Sequence, residues 1–155
     1  MFYAFIYLMV IGIFMSKTSS CVYNINYHIV WCPKYRKSIL VNKIKAFVEE
    51  QIHTISETKG WKILELKVMS DHIHLFISVP PVESPMGIVK ILKGVSGLRL
   101  FKKYPELKKT LWNGHVWSPS YYVGTAGHVS SKTIQDYINR VEHDDRRSKR
   151  QNSST

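Results

Sequence analysis

The residue pattern predicts an α+β sandwich, with one antiparallel sheet, two helices on one of its faces and a further helix at the C-terminal end. Three observations predict it. Four stretches read as strands and three as helices. The two kinds follow one another as β-α-β-β-α-β and then a last helix. The middle pair of strands is joined by only a tight turn, which makes it an antiparallel hairpin.

The elements follow in chain order. From Val22 to Trp31, VYNINYHIVW alternates, with Tyr23, Ile25, Tyr27, Ile29 and Trp31 on one face and Asn24, Asn26 and His28 on the other, as in a half-buried strand. CPKYRKS is a basic loop broken by Pro33. NKIKAFVEEQIHTISETKG then places Ile44, Phe47, Val48, Ile52 and Ile55 at helical spacing and ends at Gly60. WKILELKVM and HIHLFISV are the hairpin strands, separated by the Ser70-Asp71 turn. After Pro80 and Pro81, Ser84 is positioned to cap a second helix with Pro85 at its first position. Ile88, Ile91, Leu92, Val95 and Leu98 form its apolar stripe, and Lys90, Lys93, Arg99, Lys102 and Lys103 occupy its other faces. HVWSPSYYVGTAG supplies a further strand, and SSKTIQDYINRVEHDD a final helix starting near Ser130 or Ser131. The tail RRSKRQNSST has no apolar residue and is expected to be disordered.

This order defines a ferredoxin-like (RRM-like) βαββαβ sandwich whose second sheet face is left open. Three segments result: an apolar N-terminal extension over 1–18, a single domain over 19–145 and a basic tail over 146–155. The extension begins with an uncharged run, Met1 to Phe14, too short to cross a bilayer and without a signal peptide's basic start or cleavage site. Met15 heads a polar beginning, so the run reads as upstream sequence. A short membrane anchor is the alternative, but no membrane partner is expected.

Charge narrows the partner. The chain has 22 Lys+Arg against 11 Asp+Glu, a formal net charge of +11. Such an excess suits a polyanion, with nucleic acid foremost, the plain alternative being a solvated basic surface. Cys21 and Cys32 can support neither a disulfide framework nor a zinc spacing, so a reducing cytoplasm is the expected compartment.

The stretch VMSDHIHLFISVPP holds the chemistry. Strand alternation sends His72, His74, Phe76 and Ser78 to one face and Ile73, Leu75, Ile77 and Val79 to the other. Two imidazoles on one face, about 7 Å apart at Cβ, can converge on one ion if further ligands complete the shell. The plain alternative is a pair of surface histidines. Asp71 next to them can orient an imidazole or simply stabilise the turn. A histidine-triad hydrolase would need a third His where Phe76 stands. Paired H-x-T/S motifs and HExxH are absent.

DHIHLFISVPP, with YHIVWCPKYRKSIL upstream and VWSPSYYVGTAGHVSSKTIQDYI downstream, closely resembles the HUH-type single-tyrosine transposases of insertion sequences, the insertion-sequence-two-hundred-like or transposase A family. The resemblance spans roughly Ser19 to Glu142. It implies a metal-dependent transposase acting on single-stranded or hairpin DNA. His72 and His74 would hold a divalent metal, Mg²⁺ or Mn²⁺, and Tyr137 in the final helix would be the nucleophile forming a 5′-phosphotyrosine. It also implies a homodimer in which each Tyr can serve the other subunit's histidines, the edge strand VWSPSYYVGTAG being a plausible contact. Lys34, Arg36 and Lys37 of the basic loop and Lys90, Lys93 and Arg99 of the second helix are the DNA-binding candidates.

One position departs from the family pattern. The Gln that commonly follows the tyrosine by one helical turn is Val141 here, which cannot ligate. Glu142 is a candidate replacement ligand, although rotated about 140° from Tyr137. Water in that position is a second possibility, and a catalytically impaired copy a third. A non-enzymatic single-strand binder on the same scaffold is the alternative from another class; a membrane-tethered nuclease ranks below it.

Overall fold

The structure is a computed structural model that describes residues 16–17, 20–111, 114–127 and 136. Met15–Gly127 form one compact unit. Beyond it only Asp136 is described, as an exposed helical residue. The expectations for 1–14, for the final helix with Tyr137, Val141 and Glu142, and for the tail lie outside the described residues.

The strands are β1 (Ser16–Lys17), β2 (Val22–Tyr23), β3 (Asn26–Trp31), β4 (Lys62–Val68), β5 (Ile73–Ser78) and β6 (Tyr122–Ala126). The helices are α1 (Asn42–Lys59), α2 (Pro85–Lys103) and the short α3 (Leu107–Thr110). The main sheet runs β4-β5-β3-β6, antiparallel at every step. This is the strand order of a ferredoxin-like sandwich, with β5 and β3 central and β4 and β6 at the edges.

Local signals act as the sequence predicts. Gly60 ends α1 in the left-handed conformation (φ 69°), a backbone state that costs a side-chain-bearing residue steric energy. The Ser84 side chain accepts a hydrogen bond from the Gly87 N–H at the start of α2. The β4–β5 hairpin closes around Ser70-Asp71, with the Met69 N–H donating to the His72 carbonyl at 2.8 Å. On the helix-covered face, Ile73, Leu75 and Ile77 of β5 and Ile29 and Trp31 of β3 join Phe47, Val48, Ile52 and Ile55 of α1 and Ile88, Val89, Leu92 and Leu100 of α2 in one core. The two cysteines are free thiols.

Four details differ from expectation. The opposite sheet face is not open at its centre: every residue of β5 is buried, His74 and Phe76 included. The first strand is broken at Asn24-Ile25, where Asn26 donates to the Asn24 side chain, and β2 pairs instead with β1, inside the stretch assigned to the extension. The last strand begins only at Tyr122. Pro33 and Trp117 make an isolated bridge, and Pro119, lacking an N–H, cannot carry a ladder on to the strand. Leu98 is 75% exposed, while Ser96 and Gly97 face the core in its place. The reason is size: a Cβ on Gly97 would sit 3.4 Å from the Trp117 ring, whose Nε1–H donates to Ser96 Oγ at 3.1 Å.

Candidate active site

The histidines owe their position to the hairpin and to the register of the strand beside it. His72 closes the turn one residue before β5, and His74 is the second residue of that strand. Their rings meet edge to face with centroids 5.0 Å apart. The neighbouring β3 places Val30 opposite His74 and His28 opposite Phe76. His28 thus comes onto the same face, stacked on Phe76 at 4.2 Å and 5° between planes, with its Nε2 3.1 Å from His74 Nδ1.

Second partners fix both imidazoles. The His72 Nδ1–H donates to Asp71 Oδ1 at 2.7 Å. Asp71 Oδ2 also lies 3.4 Å from Arg36 Nη2. Arg36 reaches it from a turn in which Tyr35 (φ 60°) and Arg36 (φ 49°) are both left-handed, an uncommon state for residues with side chains. Asp71 therefore bonds both an imidazole and an arginine of the basic loop. Burial holds the His28 imidazole below its ordinary pKa. On its β6 side, Tyr122 meets His28 edge-on at 5.8 Å. A Cβ on Gly124 would stand 2.6 Å from the Tyr122 hydroxyl, so this glycine leaves room for the phenol over the strand.

The donor set suits a divalent cation. With Nδ1 of His72 bonded to Asp71 and Nδ1 of His74 to His28, Nε2 is the ring nitrogen through which each would ligate. Two imidazoles on one ion at about 2.1 Å hold their ring centres roughly 4.5–5 Å apart, and the observed separation is 5.0 Å. Among the described residues no three His, Cys, Asp or Glu side chains form a metal-holding group. The pair therefore offers two ligands, to be completed by other donors.

Of the six basic candidates, Arg36, Lys37, Lys90 and Arg99 are exposed and Lys34 and Lys93 are half-buried. Lys37 Nζ donates to the Thr110 carbonyl at 2.6 Å, and Arg99 Nη1 to Gln51 Oε1 at 2.7 Å. Lys93 donates to the carbonyls of Ser118 and Pro119 at 2.6 and 3.1 Å, and burial lowers its pKa, against an opposing influence from Cys32. It ties α2 to the segment before β6. Lys34 lies 5.3 Å from the Tyr35 ring, and Lys90 is exposed. Lys34 and Lys93 also line a groove of about 580 Å³ with Leu98, Phe101, His115 and Trp117.

Sequence reasoning placed His28 on the polar face of its strand but gave it no role. Its signal is the pairing register, which sets position 28 opposite 76 and so diagonally beside 74.

A βαββαβ sandwich with imidazoles set into its two central strands is the arrangement expected of an HUH-type transposase. Comparison with known proteins gives the particular family. The family model described as "Transposase IS200 like" matches residues 21–141, and the chain belongs to that family. It is 38% identical over 130 residues to the ISDra2 transposase TnpA of Deinococcus radiodurans, covering 84% of this chain and 92% of that one. It is 36% identical over 124 residues to the transposase for insertion sequence element IS200 of Salmonella typhimurium, covering 80% and 81%. A crystal structure of a candidate transposase from Deinococcus radiodurans superimposes with a TM-score of 0.68 at 35% identity, over 81% of this chain and 97% of that chain. A REP-associated tyrosine transposase, solved bound to a REP hairpin, shares the fold with a TM-score of 0.54 at 16% identity, over 83% and 74%. Among the described residues no helix is long and apolar enough to cross a membrane.

Proposed function

We propose that this transposase cleaves and rejoins single-stranded DNA at the ends of its insertion sequence through a covalent link to Tyr137. The observation that carries the reading is the His72–His74 pair, each ring held at Nδ1 so that Nε2 would be the nitrogen to ligate a metal. The Tyr137 hydroxyl attacks the scissile phosphorus as its proton leaves. The phosphorus–O3′ bond breaks, giving a 5′-phosphotyrosine and a free 3′-OH. Attack by another 3′-OH reverses the step and rejoins strands without an external energy source. His72 and His74 would hold Mg²⁺ or Mn²⁺, which when bound neutralises charge developing on the phosphate.

Val141 cannot ligate, so Glu142 or water completes the set that the two histidines begin. The fold is shared with a transposase solved on a hairpin, so hairpin DNA is the form to test first. The active unit is proposed to be a homodimer, with β6 a plausible contact edge and each Tyr137 able to serve the other subunit's histidines.

The test is a denaturing gel of labelled single-stranded DNA carrying the element's own end, incubated with Mg²⁺ or Mn²⁺. The expected result is a protein-sized shift carrying the downstream fragment's 5′ phosphate, lost with EDTA and in Tyr137→Phe. An adduct that survives Tyr137→Phe means the nucleophile is another residue. An adduct formed only by Val141→Gln identifies an impaired copy and favours the alternative reading, a DNA-binding protein that no longer cleaves.

A further inference from the structure

We propose that His28 is a positioning residue for His74, selecting the tautomer in which His74 can ligate a metal. The inference rests on the reading of His72 and His74 as the metal-holding pair.

A neutral imidazole carries one N–H, and its other nitrogen has the lone pair. His74 can ligate through Nε2 only if its proton sits on Nδ1, and that proton needs an acceptor because the ring is buried. The acceptor in place is His28 Nε2, at 3.1 Å. His72 has a carboxylate for the same purpose, the Asp71 oxygen at 2.7 Å. The two rings of the pair are thus set by different groups. Asp71 is the adjacent residue, whereas His28 arrives from a strand 46 positions away in sequence. An imidazole in this place accepts the hydrogen bond without adding a second buried carboxylate beside Asp71.

The His28 ring is itself fixed. It lies nearly parallel to Phe76 and edge-on to Tyr122, contacts that aim Nε2 along the sheet toward His74. Two roles can therefore be separated by substitution. His28→Phe keeps a flat ring on Phe76 and removes the acceptor. His28→Gln loses the ring stack but can place a carbonyl oxygen where Nε2 was.

The experiment uses the full chain labelled with ¹⁵N-histidine and Mn²⁺ alone as the probe. Proton–nitrogen correlation spectra of the metal-free protein report the His74 tautomer. Mn²⁺ titration followed by electron paramagnetic resonance compares the natural chain with His28→Phe, His28→Gln and His74→Ala. The expected result is a His74 proton on Nδ1, an affinity lowered about tenfold in His28→Phe, and recovery of most of it in His28→Gln. A ring that merely fills space would give the opposite ranking, with Phe retaining affinity and Gln losing it, and that result overturns the proposal. So does a natural chain whose His74 proton sits on Nε2, a measurement that needs no variant to fold. If His74→Ala loses Mn²⁺ while both His28 variants bind as the natural chain does, this inference fails and the metal-pair reading stands. If His74→Ala binds Mn²⁺ unchanged, the metal-pair reading falls and takes this inference with it.

Discussion

Two of the partners of Asp71, His72 and Arg36, are of unequal standing. Its carboxylate is buried and bonded at 2.7 Å to a buried ring, whereas the Arg36 side chain at 3.4 Å is 59% exposed. An exposed cation contributes about 0–1 kcal/mol through such a pair. Removing the carboxylate instead strips an acceptor from a buried N–H, a loss of about 1–3 kcal/mol. Asp71→Ala should therefore destabilise the fold more than Arg36→Ala, as read from denaturant midpoints. Equal losses would show that the arginine is the partner that matters. The carboxylate's neighbour in sequence was legible from the DHIH string, but its pairing with Arg36 was not. That contact depends on two consecutive left-handed residues, Tyr35 and Arg36, and neither type advertises such a backbone.

At the scale of elements, α2 shows how shape can override hydropathy. Hydrophobic spacing put Leu98 in the core stripe, yet Ser96 and Gly97 face inward, because Trp117 occupies the space a larger side chain would need. Gly97→Val should cost about 1–3 kcal/mol by overpacking against that indole. Leu98→Lys, on the exposed side, should change stability by no more than about 0.5 kcal/mol. Thermal melts of the two variants check the ranking, and a larger loss in Leu98→Lys would contradict the packing. The end of α1, the start of α2, the hairpin and the aliphatic face were legible, since each rests on local signals such as Gly60, Ser84 and the Ser70-Asp71 turn, whereas the short α3 carries no such signal. What was not legible came from partners distant in sequence. The polar face of β5 is buried because β3 brings His28 against His74, a consequence of register that neither strand reveals alone. The late strand is shorter than HVWSPSYYVGTAG, because Pro119 has no N–H with which backbone pairing can continue.

For the molecule as a whole, the net charge of +11 sets how it meets DNA. Phosphate contacts release counterions, so affinity for single-stranded or hairpin DNA should fall steeply as salt rises, on the order of a thousandfold between 50 and 200 mM for about six contacts. Fluorescence anisotropy at three salt concentrations measures the slope, and a flat one would mean that the charge is not spent on phosphates. Lys90→Ala should reduce that slope, whereas Lys93→Ala should act mainly by loosening the segment before β6, since Lys93 is bonded to the carbonyls of Ser118 and Pro119. The sheet order β4-β5-β3-β6 has a consequence for motion. β5 has a hydrogen-bonded neighbour on each side, so its amides cannot open unless a ladder parts along most of its length. Its deuterium uptake should accordingly be the slowest in the chain and follow global unfolding, while the edge strands β4 and β6 exchange sooner. Uptake measured by mass spectrometry should leave Ile73–Ser78 protected under conditions that label β6. The strand bearing His74 is then a fixed anvil, and whatever travels during strand exchange has to move past it.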